Sequence, residues 1–354
     1  RWNLVLTLGR ISFLSLTMFS KQVEFLKLIQ QRIPEHINAV ETLSVVLGIG
    51  NDSTYRRLRG ETALTYEEAF KLADHFGLSL DSAGIDALKR VDFDAGIPIN
   101  NLEDYQAHSN RIMDRMLRFE NYGENAHMFY FALDFPLFYI YNSPSLLKLK
   151  SYVWGRNILG LPEMAAVTFD EFIIPEEKLK KDLEVIRSYS RIPSTEIWTN
   201  SSYVATLKQL QYCWETGMIN KEKDALDILN ELEDILEIMR VQSDYGKKIN
   251  PVTKEPSGAR FNWYISDLSV GNNAVHITGQ NNSHTFLSFN TFNFIETSNA
   301  AFNIQTKNWL DNFLKRSELV GAVGQGKRDR YLKKLTDQIE SIRSTIVRKE
   351  ETLL

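Results

Sequence analysis

The densest group of side chains suited to chemistry lies between residues 51 and 60, where the sequence reads NDSTYRRLRG. Arg56, Arg57 and Arg59 stand within four positions of one another. A guanidinium can bond two acceptors on guanine at once, or it can pair with a phosphate. At about 100° per residue, a helix here places one polar face outward with Arg57 at its flank. That face consists of Asp52, Ser53, Arg56 and Arg59. The segment therefore predicts a local surface for nucleic acid.

The beginning of the same segment is suited to cap a helix. Asn51 and Asp52 are favourable capping residues, and the helix N-terminus that they cap can itself bind a phosphate. On the opposite face, Thr54, Tyr55 and Leu58 are predicted to pack inward. The residues expected to contact DNA are Asn51, Asp52, Ser53, Arg56, Arg57 and Arg59.

A second candidate site lies at Gly321 to Arg328, where GAVGQGKR fits the GxxxxGK pattern of a phosphate-binding loop. Arg328 stands where a Ser or Thr would hold magnesium, and the preceding residues read as a helix instead of a buried strand. Nucleotide hydrolysis is therefore not expected. An anionic ligand could still be held by the backbone of Gly324 and Gly326 together with Lys327 or Arg328. The alternative is a flexible turn before a basic helix.

Catalytic and metal-binding patterns are not found. Cys213 is the single cysteine, and the six histidines show no ligand spacing. No Ser, His and Asp arrangement is identifiable. The sequence predicts a protein that is not an enzyme and needs no metal or cofactor.

Composition limits the range of functions. The 354 residues suffice for two or three domains, and 43% hydrophobic with 24% charged residues is ordinary for a globular protein. A net charge of −4 excludes a basic coat over the whole molecule, so contact with nucleic acid must be local. No apolar segment has the length of a membrane helix. We expect a soluble, cytoplasmic protein without a membrane partner.

The elements around the arginines are short helices. An apolar helix at 43–47 leads into the turn Gly48-Ile49-Gly50, and the arginine-bearing helix follows. Thr65 to Glu68 form a capping box, which opens a helix that ends at Gly77. This order resembles the Cro/repressor-type (XRE-like) helix-turn-helix of bacterial transcriptional regulators, over about a fifth of the chain. The resemblance implies an all-α module with a recognition helix at about 51–59 in the major groove. Thr54 stands where the family more often has Val or Ile.

The domain organisation follows from changes in pattern along the chain. Residues 1–17 are interpreted as a non-native or disordered leader before Met18, and 18–90 as the helix-turn-helix domain. Residues 91–122 are predicted to be a linker and a heptad-like helix, which either packs on its own domain or joins two copies. Residues 123–354 are predicted to form a mixed α/β domain. The fold class is therefore α+β or mixed, with an all-α bundle first.

Within the large domain the patterns predict both element types. The apolar run 127–141 is predicted to be a buried strand or two, and TEIWT at 195–199 a short strand. Residues 260–289 alternate as a three-stranded meander. Helices are predicted at 144–159, 175–190, 202–216, 221–245, 300–316 and 327–348, the last of them long.

These observations together predict a DNA-binding transcriptional regulator that binds double-stranded DNA as a homodimer. The large domain is far bigger than dimerisation requires, so it is predicted to sense a small-molecule effector or a partner. One alternative is a protein-interaction module of the antitoxin or phage-defence type, whose helix-turn-helix only autoregulates. A second is an enzyme with a fused DNA-binding head.

Overall fold

The computed structural model divides the chain into two compact units, Arg1–Asp92 and Phe93–Leu354. It describes residues 21–33, 37–78, 80, 91–96, 98–122, 125–269, 271–279, 282–289, 293–321 and 323–351. The predicted leader at 1–17 lies outside the described residues. So does most of 78–88, where the sequence predicts a further short helix.

The first unit is helical over its described residues. Its helices are α1 (21–30), α2 (Ala39–Leu47), α3 (Asn51–Leu58) and α4 (Tyr66–Phe76). The Asn38 side chain caps α2, which ends at Gly48 in the left-handed conformation that glycine tolerates best. Thr65 and Glu68 form the predicted capping box of α4, and that helix ends at Gly77 as predicted. Apolar residues from α1, α2 and α4 form a separate core: Phe25, Leu26, Ile29, Leu43, Leu47, Leu72 and Ala73.

The second unit is a mixed α/β structure. Its helices are α5 (Leu102–Leu117), α6 (Leu137–Tyr141), α7 (Pro144–Val153), α8 (Glu176–Arg191), α9 (Val204–Glu215), α10 (Glu222–Tyr245), α11 (Ala300–Leu314) and α12 (Gln325–Glu351). Its strands are β1 (His127–Ala132), β2 (Ser194–Thr199), β3 (Phe261–Ser266), β4 (Ala274–Thr278), β5 (Ser283–Phe289), β6 (Asn293–Thr297) and β7 (Glu318–Leu319). The predictions of helices from α7 to α12, of the strand at 195–199 and of a long terminal helix are confirmed.

The strands form one seven-stranded sheet in the order β6-β5-β4-β1-β2-β3-β7. β1, β2 and β3 are parallel, and the other neighbouring pairs are antiparallel. The prediction of a meander over 260–289 is wrong, because β1 and β2 lie between β3 and β4. The meander consists of β4, β5 and β6. Alternating side chains identify a strand, but its neighbours depend on long-range pairing such as Glu196 opposite Trp263.

The apolar run 127–141 also differs from its prediction. Residues 127–132 are β1, but the second half is the short helix α6, which begins after Pro136. Both halves are largely buried, and an apolar run buried on every side has the same composition in a strand as in a helix.

The sheet is covered on both faces. Met128, Tyr130, Trp198 and Trp263 point into a large core shared with α5, α7, α8, α10 and α12. Phe131 and Ile197 point the other way, towards Leu310 of α11. β2 is buried at every position, as expected for a central parallel strand.

The heptad-like stripe of α5 is used inside its own unit. Ile112, Met113 and Met116 are buried in the large core, and α5 packs against α8. Of the two interpretations of this helix, packing within its own domain is the one that the structure shows.

Candidate functional site

The first candidate surface is the exposed side of α3. Asn51, Asp52 and Ser53 occupy its first turn and are exposed. Gly50 is the N-cap residue and supplies no side-chain hydrogen bond, so the capping role predicted for Asn51 and Asp52 is wrong. None of these three side chains therefore caps α3, and all three stand at the positive end of the helix dipole.

Two arginines extend the exposed side of α3. The side chains of Arg56 and Arg59 are 62% and 57% exposed, respectively. Arg59 Nε lies 2.7 Å from Glu61 Oε1, and Arg56 Nε lies 3.8 Å from Glu61 Oε2. The hydrogen bond from Arg59 lowers the pKa of Glu61, which therefore stays ionised. Glu61 partly neutralises both guanidinium groups, but all three side chains can move in solvent.

Arg57 has a different environment, which corrects its prediction as a DNA contact. Its Nε and Nη2 donate to the two carboxylate oxygens of Glu68 at 3.0 and 2.8 Å, and its Nη1 donates to the Ser53 carbonyl. Both side chains of the pair are only 15% exposed. Arg57 therefore stabilises α3 against α4, because a two-bonded guanidinium–carboxylate pair fixes both position and orientation.

The inward side of α3 uses Thr54 and Leu58. Thr54 is 1% exposed and its Oγ1 donates to the Gly50 carbonyl, while Leu58 packs against the core of the first unit. Tyr55 is 46% exposed, so its predicted inward orientation is wrong. Residues four apart share one face of a helix, and Tyr55 stands about 100° from Thr54.

The first unit has no net positive charge that could attract an anion over its whole surface. Residues 21–78 contain seven Lys and Arg against eight Asp and Glu, so this stretch has no basic excess. Any attraction for an anion must come from the placement of Arg56 and Arg59 rather than from the net field.

The second predicted site, at Gly324 to Arg328, is placed at the start of α12. Lys327 Nζ lies 3.3 Å from Asp267 and 3.4 Å from Glu318, and Arg328 is 1% exposed with its Nη1 2.6 Å from Asp244. A Cβ on Gly324 would lie 2.3 Å from the Leu319 carbonyl oxygen. Gly326 belongs to the first turn of α12. The two cations thus face protein carboxylates, and an anionic ligand would have to displace them.

A third cluster was missed by the sequence reasoning and is centred on Glu196 of β2, which is fully buried. Its carboxylate accepts hydrogen bonds from the Tyr189 hydroxyl, from Trp198 Nε1 at 2.9 Å and from the Tyr139 hydroxyl at 3.2 Å. Burial raises the pKa of Glu196, and these donors oppose that rise. Gln242 Nε2 donates to the Tyr139 hydroxyl and so extends the network to α10. The available signal in the sequence was a charged residue in the middle of a short predicted strand, TEIWT.

Lys248 lies beside this network and is also fully buried. Its Nζ donates to the carbonyls of Tyr189 and Ile192, both at 2.7 Å, and stands 3.2 Å from the centre of the Tyr189 ring. Phe138 stacks on Tyr189 with the ring centres 4.0 Å apart. Burial lowers the pKa of Lys248, whereas the charge of Glu196 raises it.

A cavity of about 320 Å³ adjoins the cluster, between α6, α8, α10 and the loop before β3. Tyr139, Tyr189 and Gln242 belong both to its wall and to the network around Glu196. The remaining wall is mainly apolar: Phe138, Ile186, Ile238, Val241, Ile249 and Pro251.

The remaining reactive side chains do not form a further candidate site among the described residues. Cys213 is buried, which raises the pKa of its thiol to about 11. Among the described residues no group of three or more His, Cys, Asp or Glu side chains is placed to hold a metal ion. In the same part of the chain, no helix has both the length and the apolar character to cross a membrane.

Comparison of the chain with known protein families, with curated proteins and with solved structures finds no match. A function of the chain must therefore be inferred from the geometry of these three sites.

Proposed function

We propose that the chain is a DNA-binding transcriptional regulator in which α3 enters the major groove of a duplex. The order of α2, a glycine-containing turn and α3 supports the resemblance to a Cro/repressor-type helix-turn-helix. The observation that carries the proposal is the exposed face of α3. On it, Arg56 and Arg59 lie beyond the open N-terminal turn of Asn51, Asp52 and Ser53.

The anchoring of α3 supports the same proposal. A recognition helix must be held rigidly while its outer face stays free. Thr54 and Leu58 bury the inner face, and the Arg57–Glu68 pair together with the hydrogen bond from Gln22 to the Arg57 carbonyl fixes the C-terminal half. The proposed DNA-contacting set is accordingly Asn51, Asp52, Ser53, Arg56 and Arg59.

In this proposal the second unit senses an effector, and the regulator acts as a homodimer. A two-fold dimer would read half-sites about one helical turn apart. Effector binding would change DNA affinity only through a difference in its affinity for the two states of the protein.

The test is a titration of duplex binding against salt with the double variant Arg56→Gln/Arg59→Gln. If both arginines pair with phosphates, the slope of log K against log salt falls by about 2, since each phosphate contact contributes roughly 0.9. Lys180→Gln/Lys223→Gln, which also removes two exposed positive charges but in the second unit, is the matched control and should leave the slope unchanged. Unaltered binding and slope in the double variant would overturn the assignment of α3.

A protein-interaction module is the second candidate, and a specific patch favours it. Tyr66 and Phe70 of α4 are 76% and 56% exposed, with ring centres 6.2 Å apart. Exposed aromatic pairs are enriched at protein interfaces. If Phe70→Ser abolishes self-association in sedimentation while the arginine variant still binds DNA normally, this candidate replaces the first.

A further inference from the structure

The cavity beside Glu196 has the dimensions and lining of a small-molecule site. Its volume of about 320 Å³ falls in the range of such sites, which are mostly apolar with a few placed polar groups. Ile186, Tyr189 and Phe138 are nearly fully buried and form the inner wall. Ile238 and Val241 of α10 continue the apolar lining.

The charges around the cavity argue for an uncharged occupant. Glu196 and Lys248 lie behind the wall. Their summed charge is zero if both side chains are ionised, and it is also zero if both are neutral. The Glu196 oxygens already accept from three donors, and Lys248 donates to two carbonyls. An ion inside the cavity would lose its hydration without gaining a partner, which is costly. The charged lining residues Glu237 and Lys254 are exposed to solvent.

One polar side chain of the wall is available to a ligand. The side-chain amide of Asn142, directly after α6, forms no hydrogen bond within the part of the chain that the structure describes, and the residue is half-buried. An amide offers a donor and an acceptor, which match a hydroxyl or a carbonyl group.

We propose that this cavity binds a small, uncharged and largely apolar molecule that carries a hydroxyl or carbonyl group, with Asn142 as its hydrogen-bond partner. The role of such a molecule as an effector rests on the proposed function, whereas its binding does not. The experiment therefore omits DNA, and its failure would leave the DNA-binding proposal intact.

The probes are three molecules of similar shape: 2-naphthol, naphthalene and 2-naphthoate, titrated into the full chain at pH 7 with fluorescence detection. 2-Naphthol should saturate and bind roughly three- to tenfold more tightly than naphthalene, as one hydrogen bond predicts. 2-Naphthoate should bind more weakly than 2-naphthol, because the inner wall offers its carboxylate no counter-charge and Lys254, the cation of the lining, is exposed to solvent. Equal binding of the naphthoate, or no saturable binding of 2-naphthol, overturns the proposal.

Variants locate the binding. Ile186→Trp fills the cavity from α8 and should weaken 2-naphthol binding by about tenfold or more, as loss of most apolar contact requires. Leu183→Trp on the same helix is exposed and outside the lining, so it should change nothing. Val241→Trp repeats the test from α10 at a half-buried position, in case Ile186→Trp disturbs folding. Unchanged affinity in both filling variants would place the binding elsewhere and overturn the proposal.

Asn142→Leu separates the polar from the apolar contribution. It should remove the preference for 2-naphthol over naphthalene while naphthalene binding persists. A preference that survives this substitution contradicts the role given to Asn142.

Discussion

Glu61 partly neutralises the two exposed arginines of α3. Removing its charge should therefore raise the affinity for a duplex, whereas removing the arginines should lower it. Its carboxylate pairs with Arg59 and approaches Arg56, and it would repel a phosphate brought to the same surface. Glu61→Gln should therefore tighten duplex binding about two- to fivefold at low salt, a range typical of exposed charge pairs. The gain should shrink as added salt screens it.

The measurement is fluorescence anisotropy of a labelled duplex at two salt concentrations. Glu67→Gln removes an equal charge at an exposed position of α4 and serves as the control. Weaker binding in Glu61→Gln would mean that the carboxylate positions the arginines for DNA instead of competing with it.

Glu68 connects the stability of the first unit to pH. Burial alone would raise its pKa, but hydrogen bonds from Arg57 and from the Thr65 amide outweigh burial, so the pKa is lowered from 4.5. A carboxyl with a lowered folded pKa contributes stability above its unfolded pKa and loses it as pH falls through the folded value. At pH 7 Glu68→Gln should cost about 1–3 kcal/mol, the usual contribution of hydrogen bonds to a charged group.

Hydrogen exchange of amides in 51–76, corrected for its intrinsic pH dependence, measures this effect in the full chain. The variant and the parent protein should differ at pH 7 and converge below pH 4.5, where the parent carboxyl becomes protonated. A difference that persists undiminished at pH 3 would assign the effect to the amide substitution itself. Glu67→Gln again supplies the comparison, since Glu67 is exposed on the same helix.

At the scale of elements, α12 is attached at its N-terminus by a buried arginine. Arg328 Nη1 donates to Asp244 at 2.6 Å and to Ser243 Oγ at 3.0 Å, and both partners belong to α10. Lys327, one residue earlier, is paired with Asp267 and Glu318 at a more exposed site. Arg328→Leu should destabilise the second unit by about 1.5–3 kcal/mol, because it removes the hydrogen bonds of a buried guanidinium to Asp244 and Ser243, although Asp244 keeps Arg240 as a partner.

Lys327→Leu is the matched substitution and should cost less than about 1 kcal/mol, as for surface ion pairs. Urea unfolding followed by tryptophan fluorescence compares the two. Equal losses would show that burial of Arg328 is unimportant. A phosphate-induced stabilisation that Lys327→Leu abolishes would restore the anion site first expected at Gly324 to Arg328.

Signals within a few residues of one another predicted where helices begin and end. Strand neighbours and side-chain partners that are distant in the sequence could not be predicted. The capping residues Thr65 and Glu68 and the helix end at Gly77 act within a few positions, so the sequence shows them directly. The pairing of β3 with β2 joins residues 67 positions apart, and no periodicity encodes that choice. The same limit hid the site at Glu196, whose donors come from α6, α8 and β2. It also hid Arg57, whose partner Glu68 lies in the next helix.

At the scale of the whole molecule, hydrophobic burial is divided between the two units. The core of the first consists of residues between Phe25 and Leu80, and the large core of the second of residues between Ile99 and Ile346. Because each core is closed within its own unit, a loss of packing in one should not be transmitted to the other. Such a division would suit the regulator proposed above, in which the first unit binds DNA and the second binds an effector.

Cys213 and the tryptophans make this independence measurable. Cys213 is the single cysteine, and five of the six tryptophans lie beyond residue 150, so both probes report on the second unit. Burial and a pKa raised to about 11 should keep the thiol unreactive towards a disulfide reagent in the folded protein. Labelling in urea should then follow the tryptophan transition, since both require the second unit to open.

Two variants separate the units. Glu196→Ala leaves three buried donors without their acceptor and removes the charge nearest the buried Lys248, at a cost of about 3–5 kcal/mol, so it should lower the urea midpoint of Cys213 labelling. Glu196→Gln keeps one acceptor for Trp198 and should lower that midpoint less. Neither should change hydrogen exchange in 51–76, and Glu68→Gln should change that exchange without shifting the labelling midpoint. If Glu68→Gln shifts the labelling of Cys213, the two units unfold as one cooperative body and the energetic division is wrong.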